Sequence, residues 1–179
     1  RLLDMLPNEF GLGSFLQAHG ISARCSKDKE FVDEVIVLAA GAVHNFTNEQ
    51  LCKIFADNRV IMEGHAVDLL LDRGLGYLIG ANGCQSYNPD VYNVSYEQIE
   101  GDTLVLGVPG CRATTFKRTG DYMNISYEKQ PEILSRVYDS FGKELGYGIV
   151  VANGHLIVPY VVADSGQIDQ MHPLRQTLI

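Results

Sequence analysis

The chain has 179 residues, of which 46% are hydrophobic, and a formal net charge of −8. This length accommodates one domain with a substantial core, or one domain with an appended subdomain. The acidic balance and only 14 scattered basic residues argue against a nucleic-acid partner or an anionic membrane, because phosphate groups attract clustered Lys and Arg. No apolar run approaches the roughly 20 residues of a membrane-spanning helix.

The ends and the cysteines give limited information about the native context. The chain begins at Arg1 without an initiator methionine or a signal peptide, so we expect it to be a fragment of a longer protein. Four widely spaced cysteines lack the spacing of a zinc site, and we expect free, partly buried thiols. A disulfide between Cys84 and Cys111 is the alternative in an exported protein.

The first thirty residues predict one helix and one strand. Asn8 can cap a short helix that runs to about His19 and ends at Gly20. Residues 21–23 fit a short strand, and a charged linker follows at residues 27–30.

Residues 34–83 contain the clearest architectural pattern. Two continuous apolar runs, each ending in glycine, occupy residues 35–41 and 59–64 and alternate with segments of helical period at 47–56 and 66–73. A strand that is apolar at nearly every position is typical of a parallel sheet buried on both faces. We therefore predict βαβ units, with strands 35–38 and 60–63 adjacent and parallel and helices packed against them.

Local signals define the ends of these helices. Thr47 and Gln50 have the spacing of a capping box, and Leu51, Ile54 and Phe55 form a stripe that should face the core. Gly74 stands where a helix C-terminus favours glycine.

Beyond Gly83 the sequence becomes rich in Tyr, Thr and Val. Alternating stretches at residues 104–108, 113–117 and 122–127 predict antiparallel strands, and we also interpret residues 133–139 as a strand. Asn153-Gly154 lies between two β-branched runs, which predicts a type I′ hairpin in which both residues have positive φ. Two further features are a strand end or edge at Pro159 and a C-terminal helix in residues 168–179.

The turn after the second parallel strand is the first candidate for chemistry, because α/β sheets place reactive groups in such loops. It reads Glu63-Gly64-His65 and offers no cysteine or serine for a nucleophile elbow. Glu63 and His65 are the candidate catalytic residues, as an acid/base pair, with Cys84 or His44 as further participants. The competing interpretation is a structural glutamate and a histidine at a helix start.

Other patterns indicate little chemistry. The pairs Gly11/Gly13 and Gly74/Gly76 do not lie between a strand and a helix start, so we predict no phosphate-binding cofactor. The histidines lack the spacing of metal ligands, and we predict no metal site. The many tyrosines are typical of half-buried strand residues, and a sugar-stacking platform is the alternative.

Four segments together resemble a known family. Residues 35–38, 46–51, 60–80 and 154–160, with Arg175 soon after, are similar to the class I glutamine-amidotransferase-like, flavodoxin-like domain. That domain follows the catalytic barrel in bacterial β-galactosidases and related glycoside hydrolases. The resemblance implies a single α/β domain over residues 1–179, with a flavodoxin-like parallel sheet flanked by helices and a β-rich antiparallel insertion at about residues 85–145.

The family's domain lacks the Cys-His-Glu machinery of amidotransferases and contributes oligomer contacts, and this sequence departs from the amidotransferase elbow in the same way. The leading hypothesis is therefore a catalytically silent accessory or oligomerisation domain of a carbohydrate-active enzyme. Its expected partners are the rest of its own polypeptide, a second copy of the chain and a carbohydrate. The alternatives are a free-standing hydrolase with an atypical site at Glu63 and His65, and a carbohydrate-binding module built on the β-rich region.

Overall fold

The structure is a computed structural model that describes residues 2–3, 25–26, 30–100, 112–114 and 121–160. Several predicted features lie outside these residues: the helix at 8–19, the strands at 21–23 and 104–108, and the helix at 168–179. Cys111 and Arg175 also lie outside them.

The described elements alternate between strands and helices only in the first half of the chain. The helices are α1 (Ala40–His44), α2 (Asn48–Asp57), α3 (Gly64–Asp72) and α4 (Pro89–Tyr92), with a 3-10 turn at Gly76–Leu78. The strands are β1 (Leu2–Leu3), β2 (Cys25–Ser26), β3 (Val35–Leu38), β4 (Arg59–Glu63), β5 (Ala81–Tyr87), β6 (Val94–Ile99), β7 (Arg112–Thr114), β8 (Tyr122–Tyr127), β9 (Glu132–Ile133), β10 (Ser135–Asp139), β11 (Glu144–Tyr147), β12 (Val150–Ala152) and β13 (His155–Val158).

The largest sheet has seven strands in the order β2-β1-β3-β4-β13-β12-β9. Strands β3 and β4 pair in parallel, with Val37 opposite Ile61, which confirms the predicted adjacent pair. Strand β13 also runs parallel to β4, whereas β12 and β9 are antiparallel to their neighbours. The sheet is therefore mixed.

Both faces of the parallel part are buried, as its apolar sequence predicts. Ile36 and Leu38 on β3 belong to one core cluster, which the helices α2 and α3 complete through Leu51 and Leu70. Val37 points to the other face and belongs to a second cluster. That second cluster positions the buried polar site described below.

Two further sheets are antiparallel. One contains four strands in the order β11-β10-β6-β7, and the other pairs β5 with β8. Their strands include residues 113–114 of the predicted stretch 113–117, the rest of which lies outside the described residues, and the whole predicted stretch 122–127. Residues 132–139 are also extended, as two strands separated at Leu134.

The predicted flavodoxin-like α/β fold is wrong. After α3 the chain does not add another parallel strand to the main sheet but enters β5, which pairs antiparallel with β8 in a separate sheet. The reason lies in residues 81–87, whose polar and small side chains are mostly exposed or half-buried and do not suit the centre of a parallel sheet. Mixed and antiparallel sheets define the fold, and the glutamine-amidotransferase-like class is not confirmed.

Four local predictions are confirmed. The Thr47 hydroxyl accepts from the Gln50 N–H at 3.2 Å, and the Gln50 side chain accepts from the Thr47 N–H at 2.9 Å, which completes the capping box. Asn153 and Gly154 have φ of 50° and 82°, as the hairpin turn requires. Gly74 has φ of 70°, and β13 ends at the residue before Pro159.

Candidate functional site

The turn between β4 and α3 carries the two residues predicted as an acid/base pair. Glu63 is 5% exposed and occupies the N-cap position of α3, where its side chain makes no capping hydrogen bond. His65, in the first turn of α3, is exposed to solvent. The structure thus places one candidate in the interior and the other on the surface.

Met123 of β8 covers the residue between them. A Cβ atom added to Gly64 would touch Met123 Cγ, and would lie 2.8 Å from Met123 Cβ and 2.9 Å from the carbonyl oxygen of Pro159. The N–H of Met123 donates to that same carbonyl oxygen at 2.6 Å. Strand β8 and the segment after β13 therefore fill the space in which an α/β enzyme would hold its substrate above the turn.

The two further candidates do not join this turn. Cys84 lies on β5, where burial, and then the charge of Asp68, raise the pKa of its thiol to about 12. A thiol with that pKa is protonated at neutral pH and is a poor nucleophile. His44 is the exposed last residue of α1.

The structure instead brings together a buried polar cluster that sequence reasoning missed. Glu97 on β6 is fully buried, and its Oε1 accepts a short hydrogen bond from the Ser135 hydroxyl on β10. The N–H of Ile149 donates to the same oxygen at 3.3 Å and to Ser135 Oγ at 2.6 Å. The Tyr160 hydroxyl donates to Glu97 Oε2 at 2.9 Å.

This environment changes the acidity of Glu97. Burial raises its pKa from 4.5 to about 7, although the three hydrogen bonds from Ser135, Tyr160 and Ile149 favour the charged form and act in the opposite direction. Burial, and then the nearby Glu97 carboxyl, also raise the pKa values of Tyr122 and Tyr160. The cluster connects four segments of the chain, but its carboxyl has no access to solvent. The cluster is therefore suited to a structural role, in which it connects these segments through a carboxyl group that can titrate.

No distinct sequence signal marks Glu97 as a buried residue. It stands in an alternating strand beside Tyr96 and Gln98, where a glutamate is ordinarily a solvent-facing residue. A small residue at position 148 is the one hint, because a Cβ at Gly148 would touch Ser135 Oγ and lie 2.5 Å from Glu97 Oε1. That requirement becomes visible only once the strands are paired.

Several tyrosines form ring pairs in the antiparallel region. Tyr96 on β6 and Tyr138 on β10 stack with centroids 5.1 Å apart, which is typical of cross-strand packing. Tyr87, the last residue of β5, stacks on Tyr92, the last residue of α4, at 4.5 Å. The tyrosines at 127 and 147 make a looser, tilted contact with centroids 6.3 Å apart.

In the described part of the chain, no three His, Cys, Asp or Glu residues stand close enough together to hold a metal ion. None of the helices in that part is both long enough and apolar enough to cross a membrane.

Comparison with known proteins gives a likeness in fold. No protein-family model matches the sequence, and no curated protein matches it. The structure is similar to the β-galactosidase from Rahnella sp. R3, with a TM-score of 0.52 and 15% sequence identity. The match covers 91% of this chain and 24% of that one, so the chain spans about a quarter of the length of that β-galactosidase. At this identity the likeness concerns the fold alone.

Proposed function

We propose that this chain is a catalytically silent accessory domain of a glycoside hydrolase-related protein, in which it serves packing and oligomerisation. The likeness in fold to part of a β-galactosidase supports the protein class. The match to about a quarter of that chain supports a role beside other domains of the same polypeptide.

The main support for the catalytically silent role is that the space above the turn at Gly64 is filled. Nucleophilic hydrolysis needs a nucleophile at such a turn, a base beside it and room for the scissile bond. Here Met123 and Pro159 occupy that room, and the turn has no thiol or hydroxyl. A two-carboxylate glycosidase site needs two acids about 5–10 Å apart that both reach the substrate. Glu63 is buried, and the nearby Asp68 is exposed on the following helix.

An exposed apolar patch supports the oligomerisation part. Val91 is 74% exposed, Tyr92 44% and Phe141 90%. A hydrogen bond of 2.7 Å from Asn93 Nδ2 to Ser140 Oγ holds the two segments that carry these residues side by side. Contiguous apolar side chains on a surface favour contacts with another protein surface. We assign the patch to a contact with a second copy of the chain.

Turnover assays test the first part of this proposal. The chain is assayed with aryl glycosides, aryl esters and glutamine, beside a Glu63→Gln/His65→Ala double variant. We expect no turnover in either protein. Activity in the wild type that disappears in the double variant would overturn the catalytically silent role.

Sedimentation velocity tests the second part. We expect concentration-dependent self-association of the wild type and its loss in Phe141→Ser, because that side chain is almost fully exposed and its replacement leaves the core intact. The matched control is Val32→Ser, which changes another exposed apolar residue, 67% exposed. A wild type that stays monomeric over the whole concentration range would remove oligomerisation from the proposal.

A further inference from the structure

A groove lies at the seam between two of the sheets. Residues 124–127 of β8 line one part, Glu144, Gly146 and Tyr147 of β11 line another, and Arg136 of β10 also lines it. Its volume is about 410 Å³, within the range of roughly 300–1,000 Å³ for small-molecule sites. We propose that this groove binds a neutral saccharide of one or two pyranose rings.

Apolar surface in the groove comes mainly from two tyrosines. The rings of Tyr127 and Tyr147 are half-buried and tilted at 40° to each other, and Pro131 and Ile125 extend the apolar lining. The guanidinium of Arg136 lies 5.5 Å from the Tyr147 ring centroid and fixes that ring from one side. Aromatic rings held in this way suit the C–H faces of a pyranose, which are apolar although the molecule as a whole is polar.

Polar groups in the groove can both donate and accept hydrogen bonds. Asn124 donates through Nδ2 to the Tyr87 hydroxyl at 3.3 Å, which orients its carbonyl oxygen as an acceptor. Gln130 and Ser126 are exposed and add an amide and a hydroxyl. The Tyr127 hydroxyl is protonated at neutral pH, as tyrosine ordinarily is, and burial raises its pKa further. Amides and hydroxyls match sugar hydroxyls, which are donors and acceptors at once.

The charges in the groove favour a neutral ligand. Arg136 and Glu144 are its charged lining residues, and they pair with each other at 2.5 Å. Glu100 approaches the same guanidinium at 3.4 Å. The cation is thereby neutralised, so a carboxylated or phosphorylated ligand gains no free positive charge here. An organic cation would find the Glu144 carboxylate already paired with Arg136.

This inference does not rest on the proposed function. It depends on the composition of the groove, and a silent domain of any protein could carry such a site. Saccharide binding without turnover agrees with both proposals. Absence of binding rejects only the proposed saccharide groove, and turnover rejects only the catalytically silent role.

Amide-resolved NMR titration is the test, because it locates the binding site and also measures the affinity. The ¹⁵N-labelled chain is titrated separately with lactose, methyl β-D-galactopyranoside and methyl β-D-glucopyranoside. Galacturonate serves as the charged comparison. We expect saturable shifts, with millimolar dissociation constants, confined to the amides of residues 124–130 and 144–147. The amides of β3 and β4 should not move.

Three variants connect the shifts to the groove. Tyr147→Leu keeps the apolar volume but removes the ring, and we expect affinity to fall about tenfold or more. Gln130→Ala alters an exposed side chain and should weaken binding less. Tyr77→Leu, at a tyrosine that is 59% exposed outside the groove, is the matched control and should bind as the wild type does.

Three results would overturn the inference: no saturable shift with any neutral saccharide, shifts that lie elsewhere on the chain, or tighter binding of galacturonate than of the neutral sugars. Equal loss of affinity in Tyr147→Leu and Tyr77→Leu would also count against it, since Tyr77 lies outside the groove and its replacement should not weaken binding there.

Discussion

The Tyr160 hydroxyl donates a hydrogen bond of 2.9 Å to Glu97 Oε2, and so joins β6 of the four-stranded sheet to the residues just after β13 of the seven-stranded sheet. Both residues are fully buried. The connection between the two sheets therefore depends on a carboxyl that is shielded from water, and the protonation state of Glu97 affects how well the sheets hold together.

The first prediction concerns stability against pH. Because burial raises the pKa of Glu97 from 4.5 to about 7, the folded state favours the protonated form. Its contribution to stability is complete below pH 4.5 and is lost as the pH rises through 7. The shift corresponds to about 3 kcal/mol at about 1.4 kcal/mol per pH unit. We expect the wild-type melting temperature to fall between pH 5 and pH 8, measured by circular dichroism.

Glu97→Gln is the matched variant for this prediction. Its amide resembles the protonated carboxyl, accepting from Ser135 and Ile149 and donating to Tyr160. It should abolish the fall in melting temperature towards pH 8. The pKa of His155 is lowered by burial, so that residue reduces stability as the pH falls below 6.5 in both proteins and does not produce an alkaline decline. An unchanged alkaline decline in Glu97→Gln contradicts the assignment.

The second prediction concerns Arg73. Its guanidinium donates to the carbonyl oxygens of Val43 at 2.7 Å and Phe46 at 2.8 Å, and to Asn48 Oδ1 at 2.8 Å. It thus binds the C-terminus of α1 and the start of α2 to the end of α3. A lysine ammonium cannot place three donors in this fork.

We expect Arg73→Lys to lower the free energy of unfolding by about 1–3 kcal/mol, the cost of leaving hydrogen-bonding groups unsatisfied. Urea unfolding monitored by circular dichroism measures the change. Arg59→Lys is the control, because Arg59 is exposed and the same replacement there should change stability little. Equal stability of the two variants would show that the guanidinium geometry is unimportant.

The third prediction concerns the hairpin between β12 and β13. Gly154 has φ of 82°, and a Cβ added there would meet no atom within 4 Å, so only the backbone conformation opposes a side chain. We expect Gly154→Val to destabilise the fold by about 1–3 kcal/mol. Gly154→Asn should cost less, because asparagine tolerates positive φ. Thermal unfolding that ranks the two variants equally would contradict the backbone explanation.

The features predicted from sequence are those with short-range causes. The capping box depends on Thr47 and Gln50, which are three residues apart. The hairpin depends on two adjacent residues, and the pair β3–β4 depends on two apolar runs separated only by the helices α1 and α2. In each case a local preference and the tertiary structure agree, and sequence patterns suffice.

The features that were missed depend on distant segments. Glu97 acquires its partners from residues 38, 52 and 63 positions further along the chain, so nothing near it in the sequence indicates burial. Likewise, nothing near β13 in the sequence indicates that it pairs with β4, because strands β5 to β12 lie between the two in the chain. The flavodoxin-like prediction failed because it extended a correct local βαβ pattern to residues 81–87, whose polarity favours an antiparallel pair.

The last prediction tests how the turn after β4 is filled. Gly64→Ala adds a Cβ that touches Met123 Cγ and lies 2.9 Å from the Pro159 carbonyl oxygen. Overpacking of this kind costs about 1–3 kcal/mol, because the backbone oxygen cannot move without shifting β13. We expect a correspondingly lower free energy of unfolding in urea.

Met123→Ala removes the Cγ contact but leaves the Pro159 oxygen in place, so the double variant Gly64→Ala/Met123→Ala should recover part of the loss. A double-mutant cycle should give a coupling energy of about 0.5–3 kcal/mol, as residues in direct contact do. Gly64→Ala with Val91→Ala is the control pair, since Val91 is 74% exposed and should show no coupling. Strict additivity for Gly64 and Met123 would mean that Met123 does not fill the turn, and would reopen that turn as a candidate active site.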